Sequence, residues 1–159
     1  MLKTARPNIT RFSSSGYISD LAAGQLCVVL GYSGDINIAR QRAIEAKNGH
    51  DIQVLIPPSG AALFFDTMAI PKDAKNVKNA HRFINYILQP EVHASLSNKV
   101  LYANPNAASK KFVVKAVADN PTIFPSAADI KKLSTPDAVP QNIRRVQTRI
   151  FTSFKANTK

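Results

Sequence analysis

Cysteine and long apolar runs are nearly absent from this sequence. The one cysteine, Cys27, excludes an intramolecular disulfide framework and any zinc site built from several cysteines. No apolar run approaches the roughly 18 residues that a membrane-spanning helix needs. Residues 1–7 lack the apolar middle segment of a secretory signal. We therefore expect a soluble chain in which no targeting signal can be recognised.

Acidic residues are also few, and they are unevenly placed. The 159 residues include 21 Lys and Arg against 10 Asp and Glu, which gives a net charge of +11. Residues 1–66 carry six basic and five acidic residues, whereas residues 67–159 carry fifteen and five. Such an excess of positive charge favours anionic partners, for example nucleic acid or lipid headgroups. It does not indicate which of these binds.

Patterns that carry catalysis or hold metals are missing as well. His50, His81 and His93 are not at metal-ligand spacing, and no glycine-rich phosphate loop with a lysine occurs. Ser33 lies in Gly-x-Ser-Gly, which falls short of a nucleophile elbow. Cys27 lies within a predicted strand and is expected to be a buried, inert thiol. The sequence thus predicts a protein that is not an enzyme and that has no cofactor and no metal.

Apolar residues make up 45% of the chain, enough for a folded core. Residues 26–30 are apolar without alternation, which is typical of a strand buried on both faces of a parallel α/β sheet. Further strands are predicted at 52–56 and within 61–70. Helices are predicted at 17–23, 36–47, 76–89, 90–99 and 140–155, with short helical pieces at 107–118 and 126–133. This pattern predicts the α/β class.

Two carboxylates stand out by their positions. Asp35 follows the first predicted strand through a glycine-flanked turn and opens a helix, where ligands collect in open α/β sheets. A plain N-cap, with Asp35 accepting a backbone N–H, accounts for the same pattern. Asp66 lies inside the apolar run with no basic residue within five positions. If it is buried it needs a partner, which a distant lysine, a backbone turn or a cationic ligand would supply.

Aromatic residues adjoin both carboxylates. Tyr32 lies three positions before Asp35, and Phe64 and Phe65 precede Asp66, while Tyr102 lies in a later turn. An aromatic wall beside a carboxylate suits an alkyl ammonium ion, because the ring attracts the cation and the carboxylate accepts its protons. Strand alternation predicts instead that at least one of the two phenylalanines belongs to the core.

The last predicted helix, 140–155, combines an apolar stripe with a basic face. Arg145 and Arg149 lie opposite the stripe and Arg144 on its flank. This pattern favours a core helix with a solvated basic face, and nucleic-acid binding is the alternative. The apolar stripe consists of Ile143, Val146, Ile150, Phe151 and Phe154.

Taken in order, these residues resemble the C-terminal half of the periplasmic putrescine/polyamine-binding proteins of bacterial ABC transporters. The match runs nearly from one end of the chain to the other. It consists of many short segments in one order, and this order makes the resemblance specific. These segments are Gly31–Asp35, Ala43–Gly49, Ile56–Pro57, Gly60–Ala61, Phe64–Asp66, Met68–Asn76, Phe83–Pro90, Tyr102–Asn104 and Arg144–Arg149.

The resemblance implies part of a type II periplasmic-binding-protein fold, whose two lobes close on a polyamine without covalent chemistry. In that family an aromatic residue and an Asp in a Gly-aromatic-x-Gly-Asp turn contact the ligand, and these match Tyr32 and Asp35. Tyr32 stands where the family commonly has tryptophan. The family's Phe-x-Asp contacts match Phe64 and Asp66, and a late wall tyrosine matches Tyr102.

The family's proteins are about twice as long, so the resemblance implies that the N-terminal half is missing. Residues 1–44 and 108–159 would then form parts of one lobe, 45–57 the hinge region, and 58–107 a segment of the other lobe. The implied partners are a polyamine such as putrescine or spermidine, the transporter's membrane permease, and either the missing half or a second copy. The implied location is the periplasm, and no nucleic acid is expected. The alternative is a small basic nucleic-acid-associated domain built on the C-terminal helix.

Overall fold

The computed structural model describes residues 2–156, and helices provide nearly all of their regular secondary structure. The α-helices are α1 (Leu2–Ala5), α2 (Tyr17–Ala22), α3 (Ser33–Ala46), α4 (Val77–Ile87), α5 (Pro90–Val100), α6 (Lys115–Ala118), α7 (Ala127–Ile130) and α8 (Gln141–Ala156). Two 3₁₀ helices span Arg6–Asn8 and Ala107–Phe112. Among these residues, no helix is long and apolar enough to cross a membrane.

The helix ends follow the local chemistry of the sequence. Gly24 adopts a left-handed φ of 73° just past α2, where an L-residue with a Cβ would be strained. Its N–H bonds to the carbonyl of Leu21, and that of Gln25 bonds to Asp20, so α2 ends in a Schellman motif. Pro90 occupies the first turn of α5, where its missing N–H costs nothing. These helix predictions are confirmed.

The three predicted strands are wrong for this chain. Within residues 2–156 the sheet pairing is limited to one isolated parallel bridge between Ala62 and Ser134. A strand exists only where a neighbouring strand takes its N–H and C=O groups, and residues 26–30 and 52–56 have none. The run at 26–30 is therefore not buried on both faces, since Val28 is 91% and Leu30 97% exposed. Cys27, predicted to be buried, is exposed too.

The first core forms where α2 packs on α3. Small residues, Ala39 and Ala43, face α2 from α3 and are almost completely buried, so the two helices approach closely. Apolar side chains from the extended segments that follow these two helices cover this contact. The buried members of the cluster are Tyr17, Leu21, Ala22, Ile36, Ala39, Ala43 and Ile52.

A buried polar network ties α3 to a distant turn. The Asn37 side chain donates to the Ser33 carbonyl at 2.8 Å and to Thr122 Oγ1 at 3.0 Å. Its carbonyl oxygen accepts from Asn120 Nδ2 at 3.1 Å. Because each buried polar atom here has a partner, the network fixes one register between α3 and the turn.

The second core lies beside α5 and holds the turn that follows it. Ala94, Val113, Val117 and Ile123 are its buried members. Leu101 ends α5 in the left-handed conformation, with φ of 56°, and so turns the chain sharply just before Tyr102. Asn104 then donates to Ser97 Oγ at 2.8 Å and accepts from Ser109 Oγ at 2.8 Å. This arrangement fixes the position of Tyr102.

The apolar stripe of α8 does not form a core helix in this chain, contrary to the sequence prediction. Ile143, Val146 and Ile150 are exposed, and α8 is buried chiefly at Phe154. The Phe12 ring meets that of Phe154 edge to face at 5.5 Å. The described elements offer no surface to cover the rest of the stripe, and α4 likewise has no buried residue.

Candidate ligand-binding site

Asp35 lies in the first turn of α3 and does not cap the helix. The N-cap position belongs to Tyr32, whose side chain makes no capping hydrogen bond, so Asp35 is the third helical residue. The positive end of the helix dipole favours a carboxylate there. The N-cap interpretation of Asp35 is wrong because the helix begins at Ser33, earlier than the apolar pattern indicated.

Two tyrosine hydroxyls converge on the Asp35 carboxylate. Tyr17 Oη donates to Oδ2 at 2.5 Å, and Tyr102 Oη donates to Oδ1 at 2.7 Å. Tyr17 begins α2, whereas Tyr102 follows α5, so elements remote in sequence meet at α3. Gly34 makes this approach possible, because a Cβ there would overlap the Tyr102 ring.

Both tyrosines remain protonated donors at physiological pH. Burial, assisted by the hydrogen bond to Asp35, raises the pKa of Tyr17 from its ordinary 10 to about 12. The same two causes, in the same order, raise the pKa of Tyr102 well above its ordinary value. Each carboxylate oxygen has two acceptor positions, so Asp35 keeps acceptor capacity for a cation after both tyrosines bind.

The predicted aromatic residues form a second part of the site. The rings of Tyr32 and Phe64 meet edge to face, with centroids 6.3 Å apart and planes at 76°. Tyr32 is 57% and Phe64 60% exposed, so their free faces remain open to a ligand. Phe65 is exposed as well. The expectation that one of the two phenylalanines is core is therefore wrong, because residues 2–156 form no sheet that would bury it.

A backbone contact joins the two parts of the site. The Tyr32 N–H points to Tyr17 Oη at 3.4 Å, and Tyr17 in turn binds Asp35. The structure thus brings together Tyr32, Asp35, Phe64 and Tyr102. It does not bring in Asp66, which is exposed and has no hydrogen bond or ion pair to any described residue.

Tyr17 is the residue that sequence reasoning missed. The sequence predicts only that Tyr17 begins the helix at 17–23, and in the structure its ring is buried, 6% exposed. The available signal was general: a buried tyrosine hydroxyl usually finds a hydrogen-bond partner. Nothing in the sequence says that this partner is Asp35, eighteen positions away.

Chemically, this arrangement is suited to a cation. A carboxylate joined through Tyr17 to the backbone of an exposed aromatic residue suits an ammonium group and the CH₂ chain that carries it. Among residues 2–156, no three His, Cys, Asp or Glu side chains lie close enough together to hold a metal ion.

A family model described as bacterial extracellular solute-binding protein matches residues 1–125, most of the chain. The chain belongs to this family. The family and the relatives that match the chain are described as binding proteins, so the prediction that it is not an enzyme is confirmed.

Relatives of this solute-binding protein bear names that specify a ligand. It is 46% identical over 151 residues to the putrescine-binding periplasmic protein SpuD of Pseudomonas aeruginosa, covering 95% of this chain and 41% of SpuD. It is 46% identical over 156 residues to the putrescine-binding periplasmic protein PotF of Escherichia coli, covering 98% of this chain and 42% of PotF.

A solved relative has the same fold. The substrate-binding protein PotD of a Streptococcus pneumoniae spermidine/putrescine ABC transporter superposes with a TM-score of 0.71 at 25% identity. The match covers 99% of this solute-binding protein and 47% of PotD. The expected periplasmic-binding-protein fold is therefore confirmed, and the chain spans less than half the length of these relatives.

The raised pKa of Tyr17, caused first by burial and then by its hydrogen bond to Asp35, predicts how stability depends on pH. Folding raises the pKa of Tyr17 from 10 to about 12, so the folded state holds this proton more tightly. This difference in pKa contributes to the free energy of unfolding, and the contribution is fully present below pH 10 and is lost as the pH rises through 12. Its size is roughly 2–3 kcal/mol. Urea unfolding at pH 8 and pH 12 should show the stability gap between wild type and Tyr17→Phe shrinking by that amount.

Tyr86→Phe is the matched control for this measurement, since Tyr86 is exposed on α4. Its stability gap to wild type should not change with pH. A Tyr17→Phe curve that runs parallel to the wild-type curve over this range would contradict the prediction.

Proposed function

We propose that this chain is the C-terminal half of a polyamine-binding protein that serves uptake by an ABC transporter. The observation that carries the proposal is the Asp35 carboxylate, which is held by Tyr17 and Tyr102 and is joined through Tyr17 to the backbone of Tyr32, whose exposed ring contacts that of Phe64. The names of the relatives, putrescine-binding and spermidine/putrescine-binding, support the same ligand class.

In this proposal each part of the site meets a different part of the ligand. Asp35 accepts protons from one terminal ammonium, and the CH₂ chain lies along the faces of Tyr32 and Phe64. Asp66, two residues after Phe64 and free of described partners, takes a second ammonium when the lobes close. Tyr102 contributes both its ring and the hydroxyl that binds Asp35.

The proposed lobes are residues 1–44 with 108–159, and residues 58–107, joined by a hinge region at 45–57. The contact between Asn37 and Thr122 supports the first grouping, because it links its two separate segments. The unpaired backbone of the partly exposed runs at 26–30 and 52–56 would be paired by the complementary half, or in its absence by another copy of this chain.

The proposed setting is the periplasm, where the loaded protein would deliver its ligand to a membrane permease. Relatives with matching sequence are named periplasmic, which supports this location. We do not propose the nucleic-acid alternative, because the family binds solutes and the basic charge alone is its basis.

The test uses a two-part protein, made by joining this chain to the part of PotF that it does not span. Isothermal titration with putrescine should give a micromolar or tighter dissociation constant. Asp66→Asn should weaken binding about 100-fold, as expected for removal of one partner of an enclosed charge pair. Asp73→Asn, at an exposed acid seven positions on, is the control and should leave the affinity unchanged.

The isolated chain should bind weakly or not at all, because half of the cleft is absent. A two-part protein that is folded but does not bind putrescine or spermidine would overturn the proposal. Equal affinities for wild type and Asp66→Asn would remove Asp66 from the site.

A further inference from the structure

We propose that Tyr17 is a positioning residue of this site, and that its hydroxyl fixes the orientation in which the Asp35 carboxylate meets an ammonium group. This inference rests on the proposed polyamine-binding function. It adds a residue that neither the motifs nor the resemblance assigned.

The hydroxyl of Tyr17 contacts both ends of the turn that carries the site. It donates to Asp35 Oδ2 at 2.5 Å and accepts from the Tyr32 N–H at 3.4 Å. One atom therefore joins the carboxylate to the backbone of the aromatic residue beside it. Movement of either residue relative to the other would break a contact with Tyr17.

The Tyr17 ring is itself buried. It belongs to the core between α2 and α3, where it packs with Leu21 and Ile36. Gly31 allows this placement, because a Cβ on Gly31 would lie 2.8 Å from Tyr17 Cε2 and 2.9 Å from Oη. A hydroxyl on a buried ring is a fixed donor, unlike one on a mobile surface side chain.

The two tyrosines have different roles in this arrangement. Tyr102 is partly exposed and is proposed to contact the ligand, whereas Tyr17 is buried and acts through Asp35. With Oδ2 bound to Tyr17 and Oδ1 to Tyr102, the carboxylate cannot turn without losing a hydrogen bond. Tyr17 lies in the same proposed lobe as Asp35, so its hold on the carboxylate does not depend on closure of the lobes, and this lowers the cost of ordering Asp35 on binding.

A double-mutant cycle in the two-part protein tests the inference. Tyr17→Phe keeps the buried ring and removes only the hydroxyl. We expect putrescine affinity to fall about tenfold in Tyr17→Phe and further in Asp35→Asn. The double variant should bind like Asp35→Asn alone, because a residue that acts through Asp35 has no effect once the carboxylate is gone.

Tyr86→Phe is the control and should bind like wild type. If Tyr17→Phe lowers affinity by the same factor with and without Asp35, its role is general stability and the inference is overturned. Unchanged affinity in Tyr17→Phe overturns it as well. If the two-part protein without substitutions does not bind a polyamine, the proposed function is wrong. This inference, which rests on that function, is then wrong as well.

Discussion

The isolated chain is expected to self-associate at micromolar concentration, because it exposes apolar segments that a folded protein normally buries. Val28, Leu30 and Leu55 are among its most exposed side chains, and they lie on segments with unpaired backbone groups. Contiguous apolar patches beyond a few hundred Å² mark interaction surfaces or aggregation sites. Unpaired extended segments add a template for strand pairing with another chain.

Sedimentation velocity over a range of concentrations measures this directly. The chain alone should form concentration-dependent oligomers, and addition of the complementary half should convert them to a one-to-one complex. The double variant Val28→Lys/Leu55→Lys should lose both kinds of association. Gln25→Lys/Gln53→Lys, at exposed polar positions on the same segments, is the matched control. A stable monomer at 100-fold higher concentration, roughly 100 μM, would contradict the argument.

Gly34→Ala should destabilise the chain and disorganise the site, although alanine is the better helix former. Replacing a helical glycine by alanine ordinarily gains about 1 kcal/mol. Here the new Cβ would overlap the ring of Tyr102, which must then move away and lose its hydrogen bond to Asp35. Overpacking of this kind costs about 1–3 kcal/mol, and the lost hydrogen bond about 1 kcal/mol more. We expect a net loss of about 2 kcal/mol in urea unfolding at pH 7.

The sign of this effect should reverse when the ring is removed. In a Tyr102→Ala background, Gly34→Ala meets no ring, so it should be neutral or stabilising by up to about 1 kcal/mol. A Gly34→Ala penalty that is the same in both backgrounds would show that the clash with Tyr102 is not its cause.

The helices could be predicted from the sequence, because their signals are local. Pro90 at the start of α5, Gly24 after α2 and the spacing of apolar residues in α3 and α4 each act within a few positions. The strands could not, because a strand depends on a partner elsewhere. Residues 26–30 have the apolar composition of a strand, but nothing in the described residues pairs with them.

The site was predictable to the extent that short motifs carry it. Tyr32 and Asp35 share one turn, and Phe64 was found through its own motif; the structure adds that Phe64 meets Tyr32. Tyr17 was not found, because its contact with Asp35 depends on how α2 packs on α3. The proposed role of Asp66 stays a prediction, since that carboxylate contacts no described residue.

The single exposed cysteine allows the accessibility of the segment 26–30 to be measured by chemical labelling. Cys27 is the one thiol of the sequence and directly precedes Val28. A maleimide reagent will therefore label one site, and the labelling rate will report how accessible that segment is. Protection of Cys27 during mixing with a candidate half would time the docking event at this one position, without any engineered probe.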